Sequence, residues 1–281
     1  PWTDEQVEDL LRGLEQGNYG TAWSAAKILW KLLYKNEEGL RDKVRKAKGP
    51  ERILKLIVDE TNRPGMTRKG PDEDLFDENV PLTFVQQRKM CTDFCGNLLQ
   101  VLYAFALEHK AETQALINVG GIQTMIRVLR MGTYPDKSWA ATMLAVFAEM
   151  EQGQQAQGLQ AHVIEKHGAI PLLINLIEMT DEEEGPRHAA RALTNMVDAL
   201  PPLAEKVVEL GAIPIIVEFI LKRDNYHNKL FGSECLQALC EADNKYEAEI
   251  LKLGVVRREI SEAEKAAGAS GGFRMPNDPN F

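Results

Sequence analysis

Aromatic residues are scarce, 7% of the chain, and no apolar run approaches the roughly 18 residues that a membrane-spanning helix needs. Leu, Ala, Ile, Glu and Lys dominate instead, which favours an all-helical chain. No secretory signal is visible. The sequence starts at Pro1 rather than Met, so a native N-terminus, with any lipidation or targeting signal on it, is read as cut away. Cysteine is limited to Cys91/Cys95 and Cys235/Cys240. Neither pair has the C-x2-C spacing or nearby histidines of a zinc site, so both read as small apolar core residues in a reducing compartment. Basic charge is in deficit: 33 Lys and Arg face 42 Asp and Glu, a net charge of −9 whose field repels nucleic acid and anionic lipid. Reactive motifs are missing too. His109, His162, His167, His188 and His227 belong to no H-E-x-x-H, nucleophile elbow or phosphate-cradling glycine loop. The reading is therefore a non-enzymatic protein with no cofactor, no metal and no small-molecule ligand.

What the chain does have is a repeat. Gly120-Gly-Ile-Gln-Thr-Met-Ile-Arg-Val-Leu129, Gly168-Ala-Ile-Pro-Leu-Leu-Ile-Asn-Leu-Ile177 and Gly211-Ala-Ile-Pro-Ile-Ile-Val-Glu-Phe-Ile220 read almost alike, their glycines 48 and 43 residues apart. A weaker start, Gly254-Val-Val256, follows 43 residues later, and a degenerate first copy begins at Gly49. Apolar residues recur at Ile122/Met125/Ile126/Leu129, Ile170/Leu173/Ile174/Ile177 and Ile213/Ile216/Val217/Ile220. That spacing is the buried stripe of an amphipathic helix. Pro171 and Pro214 sit at helix starts, where a missing N–H costs nothing. A short helix precedes each glycine, and a longer one rich in small residues follows (Ser138–Met150, Pro186–Asp198, Gly232–Ala242). No such helix buries its apolar face alone, so neighbours must stack.

The Gly-Ala-Ile-Pro opening, the period and Ala192-Leu-Thr-Asn195 resemble the armadillo-repeat family over residues 1–260. Among stand-alone members, the chain resembles the apicomplexan proteins that consist of armadillo repeats only. The resemblance implies an all-α fold, a right-handed α-α superhelix of about five repeats with N- and C-terminal caps. Residues 1–35 read as a last helix pair, hence the N-terminal cap. Residues 261–281 read as a C-terminal cap and flexible tail whose aromatics (Phe273, Phe281) can dock on the solenoid. Residues 59–82 hold Pro64, Gly65, Gly70, Pro71 and Pro81 and read as an inserted surface loop. Its acidic residues Asp72, Glu73, Asp74, Asp77 and Glu78 invite a calcium reading, but lack the glycine and closing glutamate of a helix–loop–helix site.

In armadillo proteins the third helices line a concave groove, and an asparagine there often holds the backbone of an extended peptide. The resemblance puts Lys31, Ala104, Ala148, Asn195 and Glu241 at that position, and Lys27, Gln100, Leu144, Arg191 and Gln237 one turn earlier. The tryptophan/asparagine ladder of nuclear-import receptors is thus missing at this register. Lys27, Lys31, Gln100, Leu144, Arg191, Asn195, Gln237 and Glu241 are the candidate groove residues. A second candidate is the basic run Arg41, Lys43, Arg45, Lys46, Lys48, Arg52 and Lys55, either a solvated helix face or a patch for an acidic partner or anionic membrane. Two functions follow as expectations. One is a cytoplasmic adaptor that binds partner protein segments along the groove. The other is a scaffold tethered to the cytosolic face of an organelle by a lost N-terminal acyl anchor, recruiting a motor or signalling protein.

Overall fold

A computed structural model describes residues 2–16, 19–62, 82–149, 159–179, 184–223, 225–257 and 272–276. Two compact units divide the chain, Pro1–Ala140 and Ala141–Phe281.

The first unit opens with the pair α1 (Asp4–Glu15) and α2 (Tyr19–Tyr34). A complete triplet of short, middle and long helices follows: α3 (Leu40–Lys46), α4 (Gly49–Thr61) and α5 (Leu82–Ala106). Next come α6 (Lys110–Asn118), α7 (Gly121–Met131) and the start of α8 (Tyr134–Glu149). In the second unit the triplets are α9 (Leu159–Lys166), α10 (Ala169–Glu178), α11 (Glu184–Ala199), then α12 (Leu203–Glu209), α13 (Ala212–Ile216), α14 (Tyr226–Ala242). Residues Val217–Leu221 continue α13 as one π-helical turn. The unit closes with α15 (Lys245–Lys252) and two short antiparallel strands, β1 (Val256–Arg257) and β2 (Phe273–Arg274).

Each short helix turns into its middle helix through one left-handed residue. Gly120, Gly168 and Gly211 hold φ of 94°, 79° and 81°, a conformation that costs a side chain about 1 kcal/mol. In the first triplet the sequence register is off by one. The left-handed residue is Lys48 (φ 55°), not Gly49. Gly49 is kept small because a Cβ there would lie 2.5 Å from Val44 Cγ1. All the stripe positions of α7, α10 and α13 with its π turn are buried, none above 3% exposed.

One boundary differs from expectation. Asp59–Thr61 are the last turn of α4, and the proline- and acid-rich remainder, 63–81, lies outside the described residues. Of the expected C-terminal cap and tail, residues 272–276 are described, and there the option of an aromatic docking on the solenoid is the one seen. Phe273 is fully buried against α14 and its N–H donates to Ser233 Oγ at 2.8 Å. Gly272 (φ +145°) permits this, since a Cβ would fall 2.1 Å from that hydroxyl oxygen. Burying one phenylalanine side chain stabilises by about 2–3 kcal/mol, enough to hold a short strand in place.

Candidate functional site

The long third helices expose one stripe each, and its chemistry differs between the units. In the first unit, α2 packs Ala22, Ala26, Leu29 and Leu33 inward. On the other side Trp23, Lys27, Trp30 and Tyr34 recur at i, i+4, i+7 and i+11, one continuous strip of helix surface. Lys27 and Lys31 are exposed, and the Lys27 ammonium sits 3.9 Å over the Trp23 ring. Trp30 and Tyr34 lie 5.8 Å apart. On α5, Gln100 and Tyr103 are partly exposed, and Tyr103 meets Trp139 at the start of α8 with ring centroids 5.6 Å apart. Three of the four tryptophans therefore stand partly in solvent on third helices of this unit.

In the second unit the stripe is polar. Arg191 pairs with Glu149 at 3.0 Å, and Gln237 donates to Glu241 at 2.6 Å. Burial, with Glu241 nearby, raises the Asp198 carboxyl above its ordinary pKa. Glu234 is raised by burial too, opposed by Arg191 and reinforced by Asp198. Burial, with Arg187 and Arg191 close by, brings His188 down to about 4, so its imidazole is neutral at physiological pH.

The sequence placements fare unevenly. Lys27, Lys31, Gln100, Arg191, Gln237 and Glu241 stand at least partly in solvent on their third helices. Leu144 is a correction: it is fully buried, as is Ala148. In the later turns of α8 the open positions are Val146, two residues from both Leu144 and Ala148, and Glu149. Two residues turn a helix by about 200°, so a slip of two moves a side chain to the opposite face. Asn195 is corrected in part. It is 9% exposed and donates to the Ala145 carbonyl at 3.0 Å, so it ties α11 to α8.

The basic run is not one patch. It spans α3, the Lys48 turn and α4, and most of its charge is engaged. Arg41 donates to the carbonyls of Leu33 (2.7 Å), Ala104 (2.9 Å) and Phe105 (3.3 Å), capping the C-terminal turns of α2 and α5 together. Lys43 pairs with Asp4, Arg45 with Asp42 and Glu112, and Arg52 with Glu8 and Glu15. Lys46, Lys48 and Lys55 are exposed, with no ion pair among the described residues. In the last turn of α4 the buried Glu60 is raised to about 7, by burial first and then by Asp59 and the buried Asp136 of α8. Cys95, Cys235 and Cys240 are free and buried, burial pushing Cys235 up to about 12. Among the described residues no helix is long and apolar enough to cross a membrane, and no His/Cys/Asp/Glu group is arranged to hold a metal.

No protein-family model matches the chain. Among solved structures, a designed armadillo repeat protein in complex with the peptide (KR)4 is similar at a TM-score of 0.64 and 14% identity, covering 89% of this chain and 88% of that one. Computationally designed armadillo repeat proteins for modular peptide recognition give 0.63 and 16%, with 88% of each chain covered. This chain folds as an armadillo-repeat solenoid. Among curated proteins, 133 residues are 29% identical to U-box domain-containing protein 8 of Arabidopsis thaliana, 46% of this chain and 33% of that protein's length. Armadillo repeats generally mediate protein binding and are typically not enzymes.

Seen as an armadillo array, the residues missed by sequence reasoning are Trp23, Trp30, Tyr34, Tyr103 and Trp139. None of them stands at the asparagine register or one turn before it. The signal was nevertheless present, as the aromatics Trp23, Trp30 and Tyr34 spaced 7 and 4 residues apart on α2 beside its alanine- and leucine-rich stripe.

Proposed function

We propose that the protein is a non-enzymatic cytoplasmic adaptor that holds segments of partner proteins on the exposed faces of its third helices. The observation that carries this reading is the placement of Trp23, Trp30 and Trp139 on third helices, each half-buried and with part of its ring left in solvent. Rigid helices presenting aromatic rings and charged ends offer large contact area at small entropic cost. The similarity in fold to a designed armadillo repeat protein in complex with a peptide supports the reading by analogy. The tethered-scaffold alternative is less favoured, because ion pairs and carbonyl contacts engage Arg41, Lys43, Arg45 and Arg52 and leave only Lys46, Lys48 and Lys55 of the run for an anionic surface.

Capture of partner proteins by the immobilised chain tests the adaptor. Lys27→Glu with Lys31→Glu, or Arg191→Glu with Glu241→Lys, should release captured proteins while helical content and Tm hold. Lys46→Glu with Lys48→Glu should leave capture intact. Silent third-helix variants, with capture abolished by the Lys46/Lys48 pair, would move the site to the α3–α4 corner.

A further inference from the structure

We propose that the third-helix face of the first unit takes an extended acidic segment carrying apolar side chains. The proposal rests on the adaptor reading and adds the chemistry of what is held there.

Charge argues first. The chain carries −9 overall, yet α2 holds Lys27 and Lys31 and no acidic residue, and positions 94–106 of α5 hold no charged residue at all. No ion pair engages Lys27 or Lys31 among the described residues. Two ammonium groups about one turn apart, with no nearby carboxylate on their own helix, favour an anion arriving from outside. Lys27 is also held in place, 3.9 Å over the Trp23 ring. A cation resting on an aromatic face keeps its outer hemisphere for a carboxylate and has less rotamer freedom left to lose on binding.

Apolar contact argues second. Trp23, Trp30 and Tyr34 flank the lysines on one strip, with Tyr103 and Trp139 in tilted ring contact on neighbouring third helices. A solvated helix face needs no such rings. Tyr34 is 64% exposed, so its ring has surface left to cover. Aliphatic or aromatic side chains alternating with carboxylates along an extended backbone would meet rings and ammonium groups in turn. Aromatics beside cations also suit single-stranded nucleic acid. The net negative field disfavours a continuous phosphate chain, whereas a few carboxylates meet only the local lysines.

Intrinsic fluorescence tests this directly, because all four tryptophans lie in the first unit and three lie on this face. The intact chain, with Trp2→Phe removing the remaining reporter, is titrated with a short peptide alternating glutamate and leucine, with its lysine–leucine counterpart, and with oligouridylate. The expected result is a saturable emission change with the acidic peptide alone, weakening as salt rises. Lys27→Glu with Lys31→Glu, verified as folded by circular dichroism, should weaken it by about tenfold or more. Equal or tighter binding of the basic peptide or oligouridylate, no saturable change, or an unaffected double variant would each overturn the proposal. If it falls in this way while Arg191→Glu with Glu241→Lys still abolishes partner capture, the adaptor reading stands without it.

Discussion

The two units obey one packing rule and present opposite surfaces. Leu29 in α2 and Leu173 in α10 are equally inaccessible, and both units close their short-to-middle helix turns with left-handed residues. Yet the third helices of the first unit show rings and two lysines that no ion pair engages among the described residues, while those of the second show half-buried carboxylates around Arg191. A repeat constrains the residues that neighbours must bury and leaves the open stripe to diverge. Function in such an array is therefore written where the repeat pattern is silent.

The largest expected effects lie in the shared core. Leu29→Ala in the first unit and Leu173→Ala in the second should each cost about 2–5 kcal/mol in denaturant unfolding, through lost burial plus a cavity. A near-zero cost in either would break the claim of a common packing rule. Arg41→Ala should come next, at about 2 kcal/mol, because its guanidinium holds the last-turn carbonyls of two helices. Lys46→Ala, from the same run, should cost less than about 0.5 kcal/mol.

Two buried groups, Glu60 in the first unit and His188 in the second, should respond to pH with opposite signs. Glu60 has its folded pKa raised to about 7. Its contribution is full below the ordinary carboxylate range and is lost as pH rises through about 7. His188 is lowered to about 4, so its contribution is present above the ordinary imidazole range and is lost as pH falls through about 4. Asp198 and Glu234 add to the alkaline loss, which is why single variants are compared. Glu60→Gln should regain about 2 kcal/mol on the alkaline side, and His188→Gln about as much on the acid side, read as Tm against pH. Identical pH profiles for both variants would contradict the assignment. Asn195→Ala should cost about 1 kcal/mol through its lost bond to the Ala145 carbonyl, whereas Lys31→Glu, among the smallest effects with Lys46→Ala, should stay within about 0.5 kcal/mol.

How much of this was legible in the sequence follows from the same division. The stripes of α7, α10 and α13 were readable because burial enforces periodicity, and the turn glycines because φ > 0 selects them. Leu144 was misplaced because no periodic demand fixes the open face, so one alignment slip went uncorrected. Arg41 read as patch charge because its carbonyl partners on α5 lie more than 60 residues away. Phe273 was foreseen only as an aromatic able to dock, since nothing local names Ser233 as its partner.

Side-chain footprinting by hydroxyl radicals tests most directly the claim that the third-helix faces are the binding surface. It would be run on the intact chain alone and with a captured partner. Oxidation of Trp23, Trp30, Tyr103 and Trp139 should fall on binding, while exposed Met179 and Leu210, off the third helices, keep their reactivity. Unchanged rings with protection at Met179 and Leu210 would contradict the account.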